Sequence, residues 1–286
     1  MQAVKRILVV IDPTQTEQMA LTRARLIAGV IESDLHLLIC ENRDDYKPML
    51  QKLASELEAD GRRVTYSQQW HGNLTDTIIH AQRCEGCGLV IKQHLPDNPL
   101  RKALLTPDDW KLLRYCPAPV LLVRSTESWM HGAVLAAVDL GNHDDQNHVL
   151  HDTIVSHAAD ITEMINGTLH LVSAHPAPML SAADPVYQLR ERIAARYVDE
   201  AHKYIDLYNM SESQVHIDEG PADTLIPRVA RQTGASVTVI GTVARTGLSG
   251  ALIGNTAEVV LDQLGSDVLV LKPDDMLARL EEILEK

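Results

Sequence analysis

Two stretches of the chain end alike. Ile7–Ile11 is an apolar, mostly β-branched run that stops at Asp12, and Val134–Val138 is another that stops at Asp139, an offset of 127 from position 12 to position 139. Farther on, Pro119-Val120 is matched by Asp267-Val268, an offset of 148 from position 120 to position 268. What lies between repeats the same alternation of patterns. A repeat of this size is a domain, so the chain must fold as two copies of one architecture.

The first copy reads as strand Lys5–Ile11, helix Glu17–Val30, strand Leu35–Ile39, helix Pro48–Asp60, strand Val64–Trp70, helix Leu74–Arg83, strand Leu89–Lys92, helix Pro107–Tyr115 and strand Val120–Val123. Asp12-Pro13 stops the first strand, and Ala20, Leu21, Ala24, Ala28 and Ile31 fall on one helical face. The second copy predicts strands over Val134–Val138, Leu169–Val172, Val215–Asp218, Val237–Ile240 and Val268–Leu271. Helices are predicted between them over Gln146–Ile161, Gln188–Leu207, Asp223–Arg231 and Thr256–Leu264. Strand and helix alternating five times is the pattern of an open five-stranded parallel sheet with helices on both faces. The expected domains are residues 1–125 and 133–274, a polar linker over 126–132, and a helical tail over 275–286. The second copy is longer mainly between His175 and Tyr197, where Met179, Leu180, Pro185, Val186, Tyr187 and Leu189 can cover an apolar cavity or serve as domain packing.

Composition suits this reading. Apolar residues are 45% of the chain, with no Phe and three Trp, so core volume comes from aliphatic side chains that pack well between parallel strands and helices. Residues 1–130 hold 16 Lys and Arg against 16 Asp and Glu, whereas residues 131–286 hold 10 against 23, which carries the whole net charge of −13. A second half this acidic argues against nucleic acid as partner. Any phosphate held there needs local N–H groups, an arginine or a bound cation. The apolar run at the start stops at Asp12, too short for a signal peptide, and no stretch approaches the ~20 apolar residues of a membrane span. A cytoplasmic protein is expected, and Cys40, Cys84, Cys87 and Cys116 lack the spacing of a secreted disulfide framework.

The glycine-rich loop after Val237–Ile240 is the candidate site. Gly241 follows the strand, Gly247 and Gly250 lie within the loop, and Gly254 precedes Asn255-Thr256 at a predicted helix start. Backbone N–H groups from Gly254 to Thr256 can face an anion there, or Asn255 and Glu258 can form an ordinary capping box. The corresponding place in the first copy sets Lys92 against Gly241 and Thr106 against Gly254. Pro107 has no N–H to offer, and Asp108 and Asp109 bring carboxylates to the positive helix end. On this reading the first copy has lost the anion site.

Over nearly its whole length the chain resembles the tandem members of the universal stress protein family. I-L-V-V-I-D-P near the start, L-T-P-D-D-W-K-L-L-R-Y-C-P-A-P-V at 105–120 and G-T-V-A-R-T-G-L-S-G-A-L-I-G-N-T-A-E at 241–258 carry the resemblance. It implies two universal stress protein-like domains, of the Rossmann-like, adenine nucleotide alpha hydrolase-like class. It also implies ATP, with magnesium, as the cofactor of nucleotide-binding members. Their Gly-x-x-Gly, nine residues, Gly-Ser/Thr loop maps onto Gly241, Ala244, Gly254 and Asn255, so Ala244 and Asn255 depart from it. By the same resemblance Asp139 lies at the adenosine edge, Ala174 offers backbone to adenine and Gly220 forms the wall near base or ribose. Thr256 stands beside Asn255, and Arg245 approaches the phosphates or is a solvated surface arginine. Family members pair through sheet edges, so the two domains are expected to pair with each other, and a homodimer is open. The function expected is nucleotide binding in a stress response. The alternative is an interaction module, or a binder of an apolar small molecule.

Other candidates carry bland readings. Cys84 and Cys87 have metal-like spacing but no partner pair. His143, His148, His151 and His157, near Asp144 and Asp145, share a helical face only in part. His94, His175 and His216 are each isolated in sequence, and Ser173 has no supporting acid, so no nucleophile–base pair can be assigned. Asp12 and Asp139 can serve chemistry or can bond nearby backbone N–H groups.

Overall fold

A computed structural model describes residues 1, 4–94, 105–141, 145–179, 184–242 and 255–284. Contacts divide the chain into two units: the described residues of Met1–Thr126 with Asp274–Lys286, and those of Glu127–Arg245 with Ile253–Pro273.

In the first unit β1 (Arg6–Val10), β2 (Asp34–Cys40), β3 (Val64–Gln69), β4 (Leu89–Gln93) and β5 (Val120–Val123) pair in the order β3-β2-β1-β4-β5. All four pairings are parallel. Helices α1 (Met19–Ile31), α2 (Lys47–Ala59), α3 (Leu74–Cys84) and α4 (Pro107–Tyr115) connect them. In the second unit β6 (Ala133–Ala137), β7 (Thr168–His175), β8 (Val215–Glu219), β9 (Ala235–Gly241) and β10 (Asp267–Leu271) pair in the order β10-β9-β6-β7-β8, again parallel throughout. Their connections are α5 (Asp145–Ile165), α6 (Arg190–Tyr208), α7 (Ala222–Thr233) and α8 (Asn255–Gln263); α9 (Asp274–Leu284) belongs to the first unit.

Local chemistry explains the boundaries. Asn73 caps α3, its side chain accepting the Asp76 N–H at 2.9 Å. Asn209 and Gly234 end α6 and α7 in the left-handed conformation, which closes the last turn without strain for these residue types. Strands β4, β5, β6 and β10 are buried along their whole length, as expected of parallel strands covered on both faces, while β3 and β8 are partly exposed. β7 runs three residues beyond its predicted end, because Ala174 and His175 pair with Asp218 and Glu219 of β8. No helix among the described residues is long and apolar enough to cross a membrane.

The segment predicted as a polar linker contains an anchor. Trp129 is 1% exposed, and its indole Nε1–H donates to Asp267 Oδ2 at 2.8 Å. In a chain without Phe this is the largest fully buried side chain, and it ties the entry of β6 to the start of β10. Trp129→Phe keeps most of the apolar contact but removes this donor from a buried carboxylate. The expected cost is about 1–3 kcal/mol, read as a lower urea midpoint with unchanged slope.

Candidate functional site

Each unit has one place where the strand order reverses. In the second unit β7 lies on one side of β6 and β9 on the other, so the crossovers leaving β6 and β9 run in opposite directions and their loops part at the carboxyl ends. Asp139, two residues past β6, and Gly241, the last residue of β9, flank that crevice. Ala174 stands one residue before the end of β7, and Gly220 directly follows β8. The fold therefore brings Asp139, Ala174, Gly220 and Gly241 to the carboxyl ends of four neighbouring strands. Asn255 and Thr256 open α8. Ala244, Arg245 and Gly254 lie outside the described residues.

The Asp139 carboxylate is used locally, its Oδ1 accepting the Gly141 N–H at 3.2 Å, and Asp12 does the same for Thr14 in the first unit at 2.8 Å. The Asp139 N–H donates to His151 Nε2 at 3.4 Å, which requires that nitrogen to be unprotonated. Burial, then the neighbouring His148 and Lys203, push the His151 imidazole down to about 4, against the opposing pull of Asp152. Next to it, Leu140 N–H donates to buried Ser173 Oγ at 3.1 Å, and His175 Nδ1 lies 3.1 Å from the Pro176 carbonyl. Among the described residues, Ser173 and His175 thus take these partners rather than each other. The Tyr197 ring from α6 packs 5.6 Å from the His175 ring. Its hydroxyl sits so close to Gly141 that a Cβ there would lie 1.9 Å from the oxygen. Burial, then the charge of Asp139, push the Tyr197 phenol up to about 12, so it stays a neutral hydroxyl.

The two glycines of the site have different causes. Gly220 has φ +135°, a conformation side chains rarely adopt, and its N–H donates to the His175 carbonyl at 3.0 Å. Gly241 has close neighbours instead: a Cβ would meet the side-chain tips Leu150 Cδ2 at 2.8 Å and Ile154 Cδ1 at 3.0 Å, which would have to shift, so α5 packs against bare backbone.

In the first unit the equivalent crevice between β1 and β4 is filled from within. Setting Lys92 against Gly241 proves one residue out. Val10 pairs with Lys92, and Ala137, its repeat counterpart, pairs with Ile240, so Gln93 is the counterpart of Gly241 and His94 of Thr242. The loops confirm this register, since His94 N–H donates to Val123 O as Thr242 N–H donates to Leu271 O. Gln93 Oε1 accepts the Met19 N–H at 3.1 Å and so serves the start of α1, where the second unit packs α5 on glycine.

Lys92 and His94, on one face of the strand end, both reach Asp109. Lys92 Nζ donates to Oδ1 at 2.7 Å, and His94 Nδ1 is 2.7 Å from Oδ2. Oδ2 also accepts from Thr106 N–H and Thr106 Oγ at 3.1 and 2.8 Å, and the Asp109 N–H returns to Thr106 Oγ at 3.2 Å, a capping box. Burial alone would raise this fully buried carboxyl. The hydrogen bond from His94 and the Lys92 ammonium outweigh it and hold Asp109 well below the usual carboxylate range. An internal anion thus occupies the start of α4. His94 is not isolated, contrary to its appearance in the sequence. The signal for this network was L-V-I-K-Q-H, a strand end in which charged side chains must find a partner if buried.

Each unit is thus a doubly wound parallel α/β domain with one reversal of strand order, which defines its fold class. Residues 130–272 match the model of the Universal stress protein family. Universal stress protein E of Escherichia coli K12 is 31% identical, with 97% of this chain and 96% of that protein aligned. A crystal structure of a functionally unknown protein from Pseudomonas aeruginosa PAO1 is 57% identical, with a TM-score of 0.91 over 99% of this chain and 98% of that one. A universal stress protein from Archaeoglobus fulgidus shares the fold at 17% identity, with a TM-score of 0.65 over 94% of this chain and 97% of that one. The chain belongs to the universal stress protein family.

Two outcomes follow from the charges. Asp109→Asn leaves the Lys92 ammonium buried without its counter-charge, and stability at neutral pH is expected to fall by about 3–5 kcal/mol in urea unfolding. Because the folded carboxyl is depressed, its contribution is complete above the unfolded value of about 4 and is lost as pH falls below it. The variant should therefore lose less stability than the parent between pH 4 and 2. His151 acts in a higher window. Its folded imidazole resists protonation, so stability should fall as pH drops from about 6.5 towards 4, where the unfolded chain binds the extra proton. Ring-proton NMR should show His151 titrating near the lower end of that range.

Proposed function

We propose that the second unit binds ATP or another adenine nucleotide at the carboxyl ends of β6, β7, β8 and β9. The protein acts in a stress response through that bound state rather than through a catalytic step. The observation that carries this reading is the placement of Asp139, Ala174, Gly220 and Gly241 around the reversal of strand order. Asp139 would meet the adenosine, the Ala174 backbone the base, and Gly220 the wall of the pocket. The N–H groups of Gly254, Asn255 and Thr256 would meet the phosphates, with Arg245 and magnesium offsetting charge in an acidic half of the chain. Asn255 keeps an amide donor where the family motif has a hydroxyl. One site per chain is expected, since Asp109 already provides the anion at the start of α4 in the first unit.

Titration calorimetry of the full chain with ATP and magnesium is expected to show saturable binding at one site. Gly254→Asp, which puts a carboxylate where phosphate would lie, is expected to abolish it. Absence of heat in the parent protein would end the nucleotide reading, and equal binding by the variant would move the site away from α8.

A further inference from the structure

A second group of chemically active side chains lies in the first unit, on α3 and the turn before it. His80 and Cys84 are one turn apart on α3, and His71 sits in the turn between β3 and α3. All three are exposed. The Cys84 sulfur is 3.7 Å from His80 Nε2 and 3.9 Å from Nδ1, and the His71 and His80 ring centroids are 3.9 Å apart.

The turn that carries His71 is held by the start of the helix. His71 N–H donates to Thr77 Oγ at 2.8 Å, and that hydroxyl donates to the carbonyl of Asn73, the α3 cap. Gln69 Oε1 lies 3.2 Å from His71 Nε2. An acceptor there keeps the proton on Nε2 and leaves the lone pair on Nδ1, as in imidazoles oriented by an outer hydrogen bond for a metal ion.

We propose that His71, His80 and Cys84 form a zinc site, with water as the fourth ligand. Two imidazoles and a thiolate are the donor set of a borderline cation rather than of magnesium or calcium. A tetrahedral zinc ion with bonds of about 2.3 Å to sulfur and 2.0–2.1 Å to nitrogen separates the two donors by roughly 3.6 Å. The Cys84–His80 pair already spans that distance. Among the described residues no three such side chains surround a common centre, so binding turns the His80 and His71 rings out of their tilted contact; being exposed, they turn without disturbing the core. On binding, the Cys84 S–H bond breaks as the sulfur–zinc bond forms, the proton goes to solvent, and zinc gives up bound waters. Cys87, three residues farther on and past the end of α3, does not take part: it is 1% exposed and burial pushes its thiol up to about 12.

The test is titration of the reduced, metal-free full chain with cobalt as a spectroscopic probe, followed by displacement with zinc. One equivalent of cobalt is expected, with a thiolate-to-cobalt charge-transfer band that zinc removes. Cys84→Ser should abolish the band, and His71→Ala and His80→Ala should each weaken zinc binding by at least roughly tenfold. Cys87→Ala should leave band and affinity intact, and circular dichroism should show all four variants folded. No band in the parent, a band that survives Cys84→Ser, or unchanged affinity in either histidine variant would overturn the proposal.

Discussion

Every strand pairing within the two units is parallel, and a parallel pair can be joined only by a crossover that carries the chain back to the same end. That constraint places a helix between successive strands, buries both faces of the inner ones and collects the loops that follow the strands at one edge. It also accounts for composition. Strands covered on both sides must be apolar on both sides, and β6 does this with A-V-L-A-A, small enough for α5 to lie close. The crevice where the strand order reverses is thus a product of topology before any particular residue is placed in it.

The two units fill that crevice in different ways. At one register position the first unit has Gln93, which serves the start of α1, and the second has Gly241, which lets Leu150 and Ile154 of α5 pack on the backbone. One residue later His94 turns to Asp109, whereas Thr242 is buried and its hydroxyl lies 3.4 Å from Leu271 O. The first unit has built its own anion into the start of α4 and satisfied it with Lys92, His94 and Thr106. Such a group stabilises only while all its partners remain, because each charge would be costly to bury alone.

The fold was largely legible because hydrophobic periodicity reports burial directly. Most element boundaries fall within two residues of those read from the sequence; β7 and the end of α5 were extended by tertiary contacts that periodicity does not register. The residues at the strand ends divide the same way. Hydrophobic runs place Asp139, Gly220 and Gly241 at the carboxyl ends of β6, β8 and β9. They also set Asp109 at a helix start, but not its contacts with Lys92 and His94, and they give no sign of the contacts of His151 and Tyr197, since these depend on which helix faces which strand end. Lys92 and Asp109 are 17 positions apart and meet only through the fold. The one-residue error in setting Lys92 against Gly241 has the same origin, since the two copies differ in loop length and only the pairing of strands fixes the register.

Glycine content was the first sign of a binding loop, yet three described glycines near these strand ends have structural causes of their own. Gly141 makes room for the Tyr197 hydroxyl, Gly220 adopts a backbone conformation closed to other residues, and Gly241 accommodates α5. A Cβ at any of the three would disturb the protein with no ligand present. These glycines therefore cannot by themselves distinguish a nucleotide site from a tightly packed sheet edge. Their common feature is position: they lie at the carboxyl ends of β6, β8 and β9, and in the first unit the corresponding helix start is occupied by the carboxylate of Asp109. Under the proposed function, the second unit would take from solution the anion that the first unit supplies to its own helix start.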